Sequence, residues 1–306
     1  MAELIREVDN WKINYYQVYP YEEQTSENEL IKKGGDILGI IVDNKTEMPE
    51  EEIKNVSKKI QNIVLIYAQR SEKTNIDYKV NLFFNGMKAN IFVYSIIALL
   101  KFLYDNSLIR STIKIEINDT IIKGSSRPDD KANFYIKMEP PNILELNYPL
   151  FDILNSISIR AEDLSTKHNI YELHTPLIKT APLPIISPKA LDNARYMTSY
   201  LVGLKNRFRT GNNFPSYHIY YFQEDKNTIR SRYFHTTTII MEHKASPLSA
   251  SMLHYFLMKI DKEFRYEELT HYQGKNPNNL SRIITKIETT DTKHFKLLAG
   301  GKCYSV

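Results

Sequence analysis

The sequence predicts an α+β fold of two mixed domains, and three observations carry that prediction. Apolar residues recur every second position in some stretches and every third or fourth in others, four prolines crowd into residues 176–188, and two Ser-Pro steps head long apolar-periodic runs. The expected division is a mixed N-terminal domain over 1–175, a Pro-rich connection over 176–188 and a basic, aromatic C-terminal domain over 189–306. The last of these reads as helix, β-hairpin, helix.

Taken in order, MPEEEIKNVSKKIQNIVLIYAQR (48–70) predicts a helix. Pro49 suits a first turn, Glu50 to Glu52 suit the positive end of the dipole, and Ile53, Val56, Ile60, Ile63 and Tyr67 share one stripe. KVNLFF (79–84) predicts a strand and Asn85-Gly86 a turn, and the apolar segment Met87 to Leu108 has helical length. STIKIEIND alternates as a half-buried strand does, with Ile113, Ile115 and Ile117 on one face. Pro176, Pro182, Pro184 and Pro188 favour an extended connection over a helix or a central strand. Ser187-Pro188 and Ser246-Pro247 each supply a capping hydroxyl followed by proline at the first helical position. The first of these helices is expected to run through Leu191, Ala194, Thr198, Leu201 and Val202, the second through Met252, Phe256, Ile260 and Phe264. A tail from Leu280 to Val306 follows, and no internal repeat is visible.

With 306 residues, 42% of them hydrophobic, the chain has enough apolar material for a sizeable core. The opening MAELIREVDN lacks the apolar run of a secretory signal. The longest apolar run, residues 91–100, is half of the roughly 20 residues a spanning helix needs. Cys303 is the only cysteine, which excludes an intrachain disulfide and a cysteine-built metal centre and points to an intracellular location. Only 10 glycines beside many Ile, Asn and Lys residues suit an AT-rich genome, as in some viruses and mobile elements.

Charge is concentrated. Between Arg195 and Lys244 stand eight basic and three acidic residues, an excess larger than the net +4 of the whole chain. The same window holds FPSYHIYYFQEDKNTIRSRYFHTTTII (214–240). With Glu224-Asp225-Lys226-Asn227 as the turn, Tyr221 faces Arg230, and one face carries Tyr217, Ile219 and Tyr221 opposite Phe234, Arg232 and Arg230. Rings for base stacking beside arginines for phosphate predict a single-stranded DNA- or RNA-binding protein of little sequence specificity. Its contacts would be Tyr217, Tyr221, Phe208 and Phe234 for bases and Lys205, Arg207, Arg209, Arg230 and Arg232 for phosphates, with 205–214 as a basic loop closing over the strand.

Two alternatives stand beside that reading. His218 and His235 fall on one hairpin face as diagonal neighbours, which would suit a phosphodiester-cleaving enzyme. The His235-Thr236-Thr237 pattern has no second copy, since His174 precedes Thr-Pro and His218 precedes Ile-Tyr. The other alternative is a self-assembling scaffold or homo-oligomer whose aromatic stripes bury against copies of the chain. No cofactor or metal is expected: dinucleotide, EF-hand and His-Glu-x-x-His signatures are absent, and AGGKCYS lacks the glycine spacing of a phosphate loop. Asp129-Asp130 and Glu50 to Glu52 read as loop and helix-start charges, and Ser125 and Ser126 have no histidine nearby in sequence.

Overall fold

The computed structural model describes residues 4–8, 10–24, 30–44, 47–89, 93–108, 112–125, 127–210, 214–223, 225, 227–236, 242–289 and 295–306. It is a mixed α/β structure with six α-helices among the described residues and both parallel and antiparallel strand pairs. The chain divides into two units: unit 1 comprises residues 1–20, 35–138 and 300–306, and unit 2 comprises 21–34 and 139–299.

Unit 1 contains β1 (Asn14–Val18), β2 (Asp36–Asp43), α1 (Glu50–Lys59), β3 (Val64–Arg70), β4 (Tyr78–Phe84), β5 (Met87–Lys88), α2 (Tyr94–Asp105), β6 (Ile113–Ile117), β7 (Thr120–Gly124) and β8 (Phe134–Met138). β1 runs antiparallel to β2, β2 parallel to β3, β3 antiparallel to β4, β4 parallel to β6, and β6, β7 and β8 follow antiparallel. The sheet wraps around α2, which packs on strands from both ends of this row, β1 and β8. That position requires a helix apolar on nearly every side, and Tyr94 to Leu100 are all buried. On the opposite sheet face α1 buries Ile53 and Val56 against Ile41, Leu65, Tyr67 and Phe83.

The strands expected at 79–84 and 113–117 form, and Asn85 and Gly86 take positive φ (49° and 78°) in the two-residue turn pairing Phe84 with Met87. The helix expected over 48–70 stops at Lys59. Gln61 and Asn62 turn the chain through positive φ, and β3 begins at Val64, so Tyr67 lies on a strand. The apolar segment from Met87 starts as β5 and becomes helical at Tyr94, with residues 90–92 outside the described set.

Unit 2 contains β9 (Asn142–Glu145), α3 (Leu150–Ser156), β10 (Tyr171–His174), β11 (Lys179–Pro184), α4 (Pro188–Asn193), α5 (Thr198–Phe208), β12 (Ser216–Phe222), β13 (Thr228–Phe234), β14 (Glu242–His243), α6 (Pro247–Ile260), β15 (Glu268–Gln273) and β16 (Ser281–Thr289). After these come β17 (Phe295–Gly301) and β18 (Cys303–Ser305), the latter returning to pair with β1. The described part of the tail is therefore three strands, 281–289, 295–301 and 303–305. β11 runs parallel to β12, β12 antiparallel to β13, β13 parallel to β15 and β15 antiparallel to β16.

Both Ser-Pro steps open helices, and Ser187 Oγ accepts from the Ala190 amide at 3.2 Å. The first helix is shorter than expected. It ends at Asn193, and a second begins only at Thr198. The expected Pro-rich connection lies within unit 2, and Pro182 and Pro184 are in β11. Ile185 N–H bonds Tyr220 O at 2.9 Å, so by strand alternation the positions of residues 182 and 184 that would carry N–H point away from β12. They lie past the point where the β10 pairing has ended, and proline costs no ladder bond there.

Although the sequence shows no repeat, the topology does. The order β2, α1, β3, β4, β5, α2, β6, β7 recurs as β11, α4 and α5, β12, β13, β14, α6, β15, β16, with the same sense at each strand pairing named above.

Candidate active site

The hairpin of unit 2 has the expected register, with Tyr217 opposite Phe234, Ile219 opposite Arg232 and Tyr221 opposite Arg230. Glu224 and Lys226 of its turn lie outside the described residues. Its face, however, is core. Tyr217 and Phe234 are 0% and 1% exposed and pack in one cluster with Ile153, Leu191, Leu201 and Leu204 from α3, α4 and α5. No base can stack on them.

Arg232, 2% exposed, is a structural staple. Its Nε and one terminal nitrogen donate to the Glu242 carboxylate at 2.7 and 2.8 Å, and the other donates to Leu191 O and Ala194 O at 2.8 and 2.7 Å. Both carbonyls stand where α4 ends, Leu191 O sharing its acceptance with the Ala194 amide at 3.3 Å, so the guanidinium caps the break between α4 and α5. Arg230, 4% exposed, donates to Gly274 O and Ser231 O, and burial lowers its pKa.

The expected basic loop is helical. Lys205, Arg207 and Phe208 belong to α5, and Arg209 is its left-handed C-cap (φ 52°), while Gly211 lies outside the described residues. Lys205 donates to Thr236 O, Arg207 pairs with Asp152, and Phe208 packs edge-on against Tyr148. Tyr221 keeps partial exposure beside the core.

His218 and His235 do not form a catalytic pair. The Tyr233 ring packs against both, at 5.9 and 5.8 Å. His218 is wholly buried with Nδ1 2.7 Å from Ser249 Oγ, and burial lowers its pKa to about 3. His235 is stacked on His243, its pKa lowered to about 4 mainly by burial. Thr237 and Thr238 of the adjoining motif lie outside the described residues. Cys303 is buried, its thiol pKa raised chiefly by burial.

An open polar site occurs instead in unit 1. A cleft of about 720 Å³ lies where β2, β3, β4 and β6 present one cross-strand row: Asp43 opposite Gln69, Gln69 opposite Lys79, Lys79 opposite Glu116. Asn44, Arg70, Lys73, Asn81, Lys88 and Asn118 complete much of its wall. At one end Asp43, 6% exposed, accepts from the Tyr67 hydroxyl at 2.7 Å, which itself accepts from the Met48 amide at 2.9 Å. At the other end Glu116, 7% exposed, accepts from Lys73 Nζ at 2.5 Å, while Lys79 on the next strand is exposed. A buried carboxylate beside lysines in an open polar cleft can hold an anionic small molecule and exchange a proton with it.

Sequence reasoning passed over this row. The signal was the polar residue closing each apolar strand: Asp43 after ILGIIV, Gln69 after VLIYA, and Glu116 on the face of IKIEI read as solvated.

No protein-family model matches the chain, and no curated protein matches it by sequence. Solved structures match over nearly its whole length. A phenazine biosynthesis protein of the PhzF family from Bacillus anthracis superposes with TM-score 0.76 at 14% identity, covering 96% of each chain. A predicted epimerase from Pseudomonas aeruginosa gives 0.68 at 13% identity, covering 96% of this chain and 97% of that one. A hydroxyproline epimerase from Agrobacterium vitis, holding trans-4-hydroxy-L-proline, gives 0.59 at 8% identity, covering 96% and 90%. These likenesses overturn the expectation of a DNA- or RNA-binding protein, of a phosphodiesterase and of a scaffold, and with it the expected nucleic-acid partner. They agree with a hairpin whose Tyr217, Phe234, Arg230 and Arg232 are buried. The chain has the fold shared by PhzF-type proteins and these epimerases.

Proposed function

We propose that this protein is an isomerase acting on a small carboxylic acid in the unit 1 cleft, with Glu116 as the proton-transferring group. The reading rests on one observation above the others: a buried carboxylate, Glu116, beside Lys73 and Lys79 in a polar cleft of a fold whose solved neighbours are named as epimerases, a racemase and an isomerase. Lys79, Lys73 and Arg70 would hold the substrate carboxylate. Glu116 would take the proton from the carbon beside a carbonyl or carboxylate, the C–H pair moving into an enolate whose oxygen is stabilised by a lysine ammonium, and would return the proton to another carbon.

Magnitudes favour isomerisation over two-base epimerisation. Asp43 and Glu116 stand three strand spacings apart, about 14 Å at roughly 4.8 Å each, too far to flank one carbon. One carboxylate can carry a proton between two carbons on the same face of a substrate; it cannot invert a single carbon alone. A thiol pair is excluded by a single, buried cysteine.

The helix, β-hairpin, helix reading of the second half enters the proposal as scaffold, supported by the Ser187 and Ser246 helix starts. An intracellular location belongs to it too, supported by the single cysteine. Among the described residues no helix is long and apolar enough to cross a membrane.

The test is deuterium incorporation from D2O, followed by NMR, into a panel of small unsaturated and hydroxylated carboxylic acids. A substrate that exchanges with the native protein and at least 100-fold more slowly with Glu116→Gln supports the reading. Equal exchange by the variant overturns it.

A further inference from the structure

All eight histidines of the chain lie outside unit 1, and three of those in unit 2 are sealed in its core: His218 on β12, His254 on α6 and His271 on β15, each 0% exposed. Their hydrogen bonds fix where the protons sit. His254 Nε2 is 2.8 Å from Tyr266 O, a carbonyl that can only accept, so Nε2 carries the proton and Nδ1 of the neutral ring is an acceptor. Thr285 Oγ1 lies 2.8 Å from that Nδ1 and 3.3 Å from Leu269 O. Its single proton goes to the nearer and otherwise unpaired nitrogen. Thr285 must then accept from His271 Nε2 at 3.0 Å, which leaves His271 Nδ1 bare.

The result is a directional chain, His271 to Thr285 to His254 to Tyr266 O. His271 Nδ1 and His218 Nε2 have no protein partner, and the two rings lie 6.3 Å apart. The groups around them are neutral: Ser249 from α6, Tyr233 from β13, Thr285 from β16, and Phe264, edge-on to His254. Among the described residues no carboxylate contacts any of the three rings. Burial lowers the pKa of His218 to about 3 and of His254 to about 4, and moves that of His271 well below the ordinary value.

We propose that this trio is an acid-operated switch, in which proton uptake at His271 Nδ1 or His218 Nε2 places an unpaired charge in the core and opens unit 2 around α6 while unit 1 stays folded. A proton here has no counter-ion, and a second would stand beside the first. Either is accommodated only when the rings reach water.

The experiment is peptide-resolved hydrogen exchange on the full chain from pH 7.5 to 4.5, corrected for intrinsic exchange. Peptides from α6, β15 and β16 should lose protection at least 10-fold between about pH 6.5 and 5 while α2 and β2 to β4 change less than 2-fold. His271→Gln, whose amide can still donate to Thr285 but takes no proton, should move the midpoint down by roughly half a pH unit or more. Simultaneous loss in both units, or an unmoved midpoint, overturns the proposal. Should the variant fail to fold, imidazole ¹⁵N NMR of the native protein decides it: Nε2–H tautomers at His254 and His271 above pH 6 support the switch, and a protonated ring there refutes it.

Discussion

Two regions built on one topology have been put to different uses. In unit 1 the row Gln69, Lys79, Glu116 across β3, β4 and β6 lies open to a cleft. The matching strands of unit 2, β12, β13 and β15, carry Tyr221, Arg230 and Tyr272, and Arg230 is folded down onto backbone carbonyls. The central helices differ as well. α2 is buried through apolar residues around almost its whole girth, whereas α6 carries Ser249, Ser251 and His254 into the core. Topology follows from where apolar residues recur and which strands pair; chemistry follows from whether the polar residues on one row meet water or protein.

Several measurements would break or sharpen this contrast. The largest effect is expected from pH. His218, His254 and His271 have pKa values below about 6.5 when folded, so the unfolded chain binds more protons and stability rises with pH. It is complete above about pH 7 and falls as pH drops toward 4, by about 1.4 kcal/mol per pH unit for each ring. Urea titrations across that window should show it, and a flat profile would remove the difference between the two cores.

Next comes Arg232→Ala, which leaves Ala194 O and Glu242 without this donor and Leu191 O with only the Ala194 amide at 3.3 Å. It should cost about 3–5 kcal/mol of unit 2 stability in denaturant melts, with little recovery in Arg232→Lys because an ammonium cannot span the same acceptors. A cost below about 1 kcal/mol would mean the arginine is not a staple.

Glu116→Gln should lower turnover at least 100-fold, equivalent to about 2.7 kcal/mol in the barrier. It should change stability by less than about 1 kcal/mol, because its partner Lys73 is largely exposed. A variant that mainly unfolds would place Glu116 among structural residues. The smallest effect is Ser187→Ala, about 1 kcal/mol by thermal melt from the lost cap on α4.

Much of the local structure was legible. The Asn85-Gly86 turn, the strands at 79–84 and 113–117, both Ser-Pro helix starts and the Tyr221 to Arg230 register each follow from a few neighbouring residues. The candidate site was not. Asp43, Gln69, Lys79 and Glu116 come from four strands spread over more than seventy residues, and nothing in any one strand announces that they share a row. The aromatic and basic richness of 195–244 was real but misleading, because composition does not distinguish an arginine that meets phosphate from one that caps a helix.

The sequence by itself determined the periodicities, caps and turns, since these depend on backbone preference and apolar spacing within a dozen residues. Tertiary structure alone decided which faces were buried. A sheet that encloses a helix buries one face of every strand, and a helix laid on the outside, as α4 and α5 are on β12 and β13, buries the other. Tyr217, Arg232 and Phe234 became core by that packing, and Glu116 remained at an opening because α1 does not reach its end of the row.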